Sequence, residues 1–158
     1  MNSTIAAAFK VDLLKGVQIL VVDNDVDSGV LYAIFLKYFG ANVMTAGSIK
    51  EAVEIMSWFV PHIMICEIRF LGESVYTLLK TLSAMEADNR NHIPIIVTST
   101  CPTSSINEIP EIEVEKYLIK PVDLDKLIFT INNLALANKN MAIARPLTKL
   151  NCVYSSPF

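Results

Sequence analysis

Pro61-His62-Ile63-Met64-Ile65-Cys66-Glu67-Ile68-Arg69-Phe70-Leu71-Gly72 is a short apolar run closed by one acid and then a glycine turn. An apolar run of this length between turn signals fits a strand buried on both faces in the middle of a parallel sheet. Glu67 then stands at the carboxyl end of that strand, where open α/β sheets place their sites. A second acidic strand end lies earlier, at Ile19-Leu20-Val21-Val22-Asp23-Asn24-Asp25. Ile95-Ile96-Val97-Thr98-Ser99 ends on a hydroxyl, and Tyr117-Leu118-Ile119-Lys120-Pro121 ends on a lysine. Four strand ends thus deliver acid, acid, hydroxyl and lysine to one edge.

Outward from that run the chain alternates strands with helices. Gly16 opens a first strand at about Val17 to Val22, and Asp25 or Asp27 caps a helix reaching Phe39. That helix carries Val30, Leu31, Ile34, Phe35 and Tyr38 at core-facing helical spacing, and Gly40 ends it. After a short strand, Asn42 to Thr45, Ser48 and Glu51 form a capping box. The helix they start turns Ala52, Ile55, Met56 and Phe59 inward and stops before Pro61. Past Gly72 a helix shows Val75, Leu78, Leu79, Leu82 and Met85 on one face. Pro94 starts a fourth strand, and Pro110 limits residues 103–113 to one or two helical turns. A fifth strand, Glu115 to Ile119, precedes a helix capped by Asp123, with Leu124, Leu127, Ile128, Ile131 and Leu134 facing the core. Five βα units joined by short loops make a doubly wound parallel sheet, a three-layer α/β fold.

Composition narrows the classes. The 158 residues suffice for one domain at 15–138, with an extension at 1–14 and an apolar tail at 139–158. A net charge of -3 without a Lys/Arg cluster argues against a nucleic-acid surface. No apolar stretch is long enough for a membrane span, and Met1 to Lys10 lacks the basic start of a signal peptide. A cytoplasmic protein is expected. Cys66, Cys101 and Cys152 have no metal or redox spacing and read as buried small hydrophobes. His62 and His92 read as satisfied strand-edge residues.

In this order and spacing the strand ends resemble the receiver domains of two-component response regulators. The resemblance covers residues 16 to 137. It rests on Leu13 to Ser28, Gly40 to Ala46 with Glu51-Ala52, Ile63 to Gly72, Pro94 to Ser99, and Tyr117 to Asp123. It implies a flavodoxin-like five-stranded sheet in the order 2-1-3-4-5. It also implies a chemistry in which a carboxylate takes a phosphoryl group from a kinase phosphohistidine. Mg²⁺ held by neighbouring acids and the lysine then neutralise the phosphoryl oxygens. By position, Glu67 resembles the phosphoacceptor, Asp23 and Asn24 the acidic metal pair, and Ser99 the phosphoryl-contacting hydroxyl. Tyr117 resembles the switch aromatic and Lys120 the family's lysine. The implied partners are a histidine kinase or other signalling proteins, and a homodimer through the face of the fourth helix, fifth strand and last helix.

The departures from the pattern are specific. Glu67 replaces Asp, Asn24 replaces the second acid, Leu71 replaces a proline and Val75 a glycine. The extra methylene of Glu67 adds roughly 1.5 Å, and a misplacement of about 1 Å in a nucleophile can cost on the order of 10²-fold. Asn24 removes one charge from a site for a hard dication, so Mg²⁺ binding at Asp23, Asn24 and Glu67 is expected to be weak or lost. The reading is a non-enzymatic pseudo-receiver acting through protein contacts, in which Glu67 projects toward Lys120 and Ser99 into the space a phosphoryl group would fill. A decayed site with an ordinary Glu67–Lys120 pair, and a working phosphoacceptor with a residual Mg²⁺ site, stand beside it. Asp23-Asn24-Asp25 also fits the Asp-x-Asp motif of haloacid-dehalogenase-like phosphohydrolases, with Asp23 as nucleophile and Ser99 and Lys120 as later motifs. That enzyme needs a further acidic strand after the lysine, which this chain lacks. A flavodoxin-like cofactor binder would need a phosphate loop after the first strand, and none is present.

Overall fold

A computed structural model describes residues 12–70, 73–89, 91–100 and 114–138. The elements follow as β1 (Gln18–Val22), α1 (Val26–Tyr38), β2 (Asn42–Ala46), α2 (Ile49–Met56), β3 (Ile63–Glu67), α3 (Val75–Asn89), β4 (Ile95–Ser99) and β5 (Lys116–Ile119). A last helix, α4, spans 124–138. The strands form one sheet in the order β2-β1-β3-β4-β5, and every pairing is parallel. The short helix read at 103–113, most of the N-terminal extension, the tail from 139 and Cys101 and Cys152 lie outside the described residues.

The central strands are apolar because both of their faces are covered. β3 and β4 are buried along their whole length. Alternate side chains feed two cores. Ile19, Val21, Ile63, Ile65, Ile96 and Leu118 pack under α1 and α4, where Leu127, Ile128 and Ile131 are fully buried. Leu20, Val22, Met64, Cys66, Val97 and Ile95 pack under α2 and α3 with Ile55, Met56, Leu78 and Leu82. Leu14, ahead of β1, is itself fully buried and donates its N–H to the Phe39 carbonyl at 2.8 Å.

Helix boundaries follow local chemistry. Asp25 caps α1, accepting from Asp27 N–H at 3.2 Å and from the Ser28 hydroxyl at 2.7 Å. Gly40 (φ +92°) closes the helix, with Gly40 N–H on the Lys37 carbonyl and Ala41 N–H on the Leu36 carbonyl. A Cβ at Gly40 would meet the Lys15 nitrogen at 3.3 Å, so the position suits glycine on two counts. Ser48 caps α2 by accepting from Glu51 N–H at 3.0 Å. The return bond of the expected capping box reaches Gly47 N–H instead of Ser48, at 3.3 Å.

One sequence expectation is corrected. Val30, Leu31, Ile34 and Tyr38 of α1 face solvent, and the core side is Gly29, Tyr32, Ala33 and Leu36. Phe35 alone of the expected set packs partly against the core. The helix is apolar on both sides, so its periodicity fits two orientations. Packing selects one of them, with Tyr32, Ala33 and Leu36 joining the core.

His92 ties α3 to the approach of β5. Its Nδ1 meets the Glu86 carboxylate at 2.7 Å and its Nε2 meets that of Glu115. The hydrogen bonds to Glu115 and then Glu86 outweigh burial and raise the imidazole to about 10 from 6.5. His62 accepts from Gln18 N–H at 2.8 Å, so both histidines have structural partners.

Two outcomes follow. Leu36→Ala should cost about 2–5 kcal/mol in urea unfolding, and Ile34→Ala should stay within about 0.5 kcal/mol. Because the folded-state pKa of His92 is raised, its contribution is complete below about 6.5 and is lost as pH rises toward about 10. The stability advantage of the wild type over His92→Gln should therefore shrink across that window when both are unfolded at successive pH values.

Candidate functional site

The carboxyl ends of β1, β3 and β5 bring Asp23, Glu67 and Lys120 together. Strand alternation puts Asp23 in phase with Val21, Glu67 with Ile65 and Lys120 with Leu118, all on the α1/α4 face. The Lys120 ammonium lies 2.8 Å from Asp23 Oδ2 and 3.1 Å from Glu67 Oε2. All three side chains are withdrawn from water: Asp23 is 1%, Glu67 7% and Lys120 13% exposed. Burial works against the Lys120 charge, but hydrogen bonds to Asp23 and Glu67 outweigh it and hold its pKa above the ordinary lysine value. The peptide bond from Lys120 to Pro121 is cis.

The other carboxylate oxygens are also engaged. Asp23 Oδ1 accepts from Asp25 N–H at 2.8 Å, which joins the first strand end to the cap of α1. Glu67 Oε1 accepts from Ile68 N–H at 2.8 Å and Arg69 N–H at 3.2 Å. Glu67 is thereby bent back over its own strand end, with one oxygen on backbone and one on lysine. Asn24 is exposed beside this group. Among the described residues no group of three His, Cys, Asp or Glu side chains is placed to hold a metal ion. Every carboxylate oxygen of Asp23 and Glu67 already has an internal donor, and Lys120 offsets one of their two charges. That donor set is a poor match for Mg²⁺, which needs near-octahedral oxygen ligands and anionic charge.

Ser99 and Tyr117 sit on the neighbouring strands but on the other face. Ser99 is fully buried at the end of β4, and its carbonyl accepts from Lys120 N–H at 2.8 Å. Tyr117 pairs in register with Val97 and packs half-buried against the α2/α3 core. The structure therefore groups Asp23, Glu67 and Lys120 directly, places Ser99 and Tyr117 alongside, and leaves Asn24 facing outward. Asp25 acts as a cap.

Sequence reasoning passed over three residues here. Thr98 pairs with Glu67 in the sheet and has a fully buried Oγ1 with no hydrogen-bond partner. Tyr32 is buried against the site, and burial raises its phenol pKa, with Lys120 and Asp23 close enough to act on it. Its position seven residues after the cap Asp25 is the signal that could have found it. Glu73, just past the turn after β3, accepts from Ile49 N–H at 3.1 Å and Lys50 N–H at 3.0 Å, placing an anion on the start of α2. A cleft of about 330 Å³ beside it is lined by Lys50, Val53 and Thr77 among others, and by none of the acid–lysine group. Cys66 lies just behind the acids. Burial, then the charges of Glu67 and Asp23, push its thiol far up, so it serves as packing and not as a nucleophile.

Lys120→Met leaves two buried carboxylates without their cation and should cost about 3–5 kcal/mol of stability. Adding Glu67→Gln to that variant should recover a measurable part of the loss in the same urea titration. No recovery would show that Glu67 is not part of the charge cluster.

The response regulator receiver domain family matches residues 19–132. The transcriptional regulatory protein ZraR of Escherichia coli O157:H7 is 29% identical over 126 residues, which is 79% of this chain and 27% of that protein. The chain thus spans only a minor part of the length of the curated relatives it matches. Among solved structures, a response regulator receiver protein from Pseudomonas putida is 27% identical with a TM-score of 0.63, covering 74% of this chain and 96% of that one. A two-component response regulator from Clostridium difficile shares the fold, with a TM-score of 0.63 at 22% identity over 75% of this chain and 95% of that one. With the flavodoxin-like strand order and the acid–lysine edge already in place, the match along residues 19–132 establishes that this chain belongs to the response regulator receiver domain family of two-component systems.

Proposed function

We propose that this receiver domain signals through protein contacts without depending on a phosphoryl group, and that Glu67 replaces the phosphoacceptor chemistry with a fixed ion pair. The observation that carries the reading is the Glu67 carboxylate on Lys120 at 3.1 Å, with its other oxygen on the Ile68 and Arg69 amides. The lysine that would neutralise a bound phosphoryl group is engaged by an internal carboxylate. A nucleophilic carboxylate also needs a free lone pair aimed at the incoming phosphorus and a dication to neutralise the oxygens. Here the lone pairs are committed and the dication site has lost an acid at Asn24.

On this reading the domain is not an enzyme, Mg²⁺ binds weakly or not at all, and partners recognise the folded surface. Those partners are signalling proteins of the cytoplasm, with a histidine kinase as the expected class and no nucleic acid or membrane contact by this domain. The dimer face implied by the family resemblance includes residues 103–113, which lie outside the described residues. Its described part exposes Ile119 on β5 and Leu136 on α4.

The test is an amide NMR titration with Mg²⁺ and then beryllofluoride on the wild type and on Glu67→Asp/Asn24→Asp. The wild type should stay unmoved around Glu67, Ser99 and Tyr117, and the double variant should shift at those positions. Shifts at Tyr117 in the wild type itself would show a working phosphoacceptor and end the pseudo-receiver reading.

A further inference from the structure

The chain holds a single tryptophan, Trp58, and its side chain lies on the surface. It follows the end of α2 and is 64% exposed, with Val60, 43% exposed, two residues on. Trp58 N–H donates to the Ile55 carbonyl at 3.1 Å, and the indole stands edge-on to the buried Phe59 ring with centroids 6.2 Å apart. One side of the indole is thus fixed while the rest of a large apolar area faces water. Glu54, also exposed, precedes it by one helical turn and Lys50 by two.

This patch lies at the amino edge of the sheet, opposite the acid–lysine group. The Val60 carbonyl accepts from the Gln18 side-chain amide at 2.6 Å, and Gln18 is the first residue of β1. α4 returns to the same edge. It starts beside Lys120 and Asp123 and spans 124–138, about 22 Å of helix. Near its end Ala135 joins the buried cluster of Leu14 and Val17, which lead into β1. Residue 138 therefore delivers the chain to the edge that carries Trp58, on the other face of the sheet. Crossing two layers of about 10 Å each takes about six extended residues, and 20 residues follow position 138.

The composition of that segment matches the patch. It carries Met141, Ile143, Leu147, Leu150, Val153 and Tyr154, and its charged side chains are Lys139, Arg145 and Lys149. All 16 Asp and Glu residues of the chain precede it. A basic, apolar segment is complementary to an acidic domain, and a cation set over an indole face gains a further attraction.

We propose that residues 139–158 fold back across the amino edge of the sheet and dock their apolar side chains on Trp58 and Val60, with the bases Arg145 and Lys149 toward Glu54. The proposal does not rest on the phosphate-independent reading, because the patch lies at the opposite edge from Asp23, Glu67 and Lys120. A segment tethered this closely has an effective concentration in the mM range, so individually weak contacts suffice to keep the patch covered.

The lone tryptophan supplies the readout. Acrylamide quenching of Trp58 fluorescence is measured in the whole chain and in Leu147→Ser/Leu150→Ser/Tyr154→Ser. Covering most of the indole should make the wild-type quenching constant about threefold lower than that of the variant, whose emission should move to the red. Glu54→Lys should shift the constant toward that of the tail variant. Ile5→Ser/Phe9→Ser, in the extension at the other end of the chain, should leave it unchanged, as should dilution over about a hundredfold range. Circular dichroism on heating shows whether each variant is folded, and Leu150→Ser alone should move the constant in the same direction if the triple variant is not. A wild-type Trp58 as quenchable as in the tail variants overturns the proposal, and an unchanged constant in Glu54→Lys overturns the charge pairing. Exposure by Ile5→Ser/Phe9→Ser in place of the tail variants overturns it by making the extension the cover. Protection lost on dilution overturns it by making the cover a second copy.

Discussion

The lysine at the end of β5 is the constraint around which this domain is arranged. An ammonium only 13% exposed has to find carboxylates, and it finds Asp23 and Glu67 at the ends of two other strands. Their approach needs β1, β3 and β5 to stop at one level, which the parallel registers provide. Ile19 pairs with Ile63, Met64 with Ile95, and Ile96 with Lys116. Replacing this cluster with apolar groups need not cost stability, but removing one member does, since the others are left charged in a dry place. The cluster therefore ties three strand ends to one another more firmly than it stabilises the fold.

The turns around the cluster carry the same constraint outward. Asp23 takes the amide of Asp25, Asp25 caps α1, and Tyr32 of α1 packs back beside the site. On the far side Glu67 takes two amides of its own turn, and Glu73 past that turn sits on the start of α2. Glu67 and Glu73 thus each hold backbone amides, one at the end of β3 and one at the start of α2. Every carboxylate oxygen of Asp23 and Glu67 has a donor within the chain.

Legibility differed between parts of the molecule for physical reasons. β3 and β4 could be read because a strand buried on both faces must be a continuous apolar run, and Ile63 to Cys66 and Ile95 to Val97 are such runs. The capping of α1 and α2 could be read because Asp25 and Ser48 act on amides within three residues. The orientation of α1 could not. Val30, Ile34 and Tyr38 have core-like spacing, as do Gly29, Tyr32, Ala33 and Leu36, and hydrophobicity alone does not rank one apolar stripe over another. Tertiary packing does, with Tyr32, Ala33 and Leu36 joining the core under α1 and α4.

The sequence by itself determined the order of the elements, the acidic and basic ends of the strands, and the presence of Asn24 and Glu67 at two of those ends. Those depend on residue identity and on spacing of a few positions. Only the tertiary structure decided that Lys120 bonds both acids, that Glu67 folds onto its own turn amides, and that Thr98 and Tyr32 lie beside the site. It also decided that the apolar stripe of α1 faces outward. Each of these joins residues tens of positions apart or chooses between two equivalent faces. Such choices are made by packing volume and charge burial across the whole domain, and no local stretch of the chain contains them.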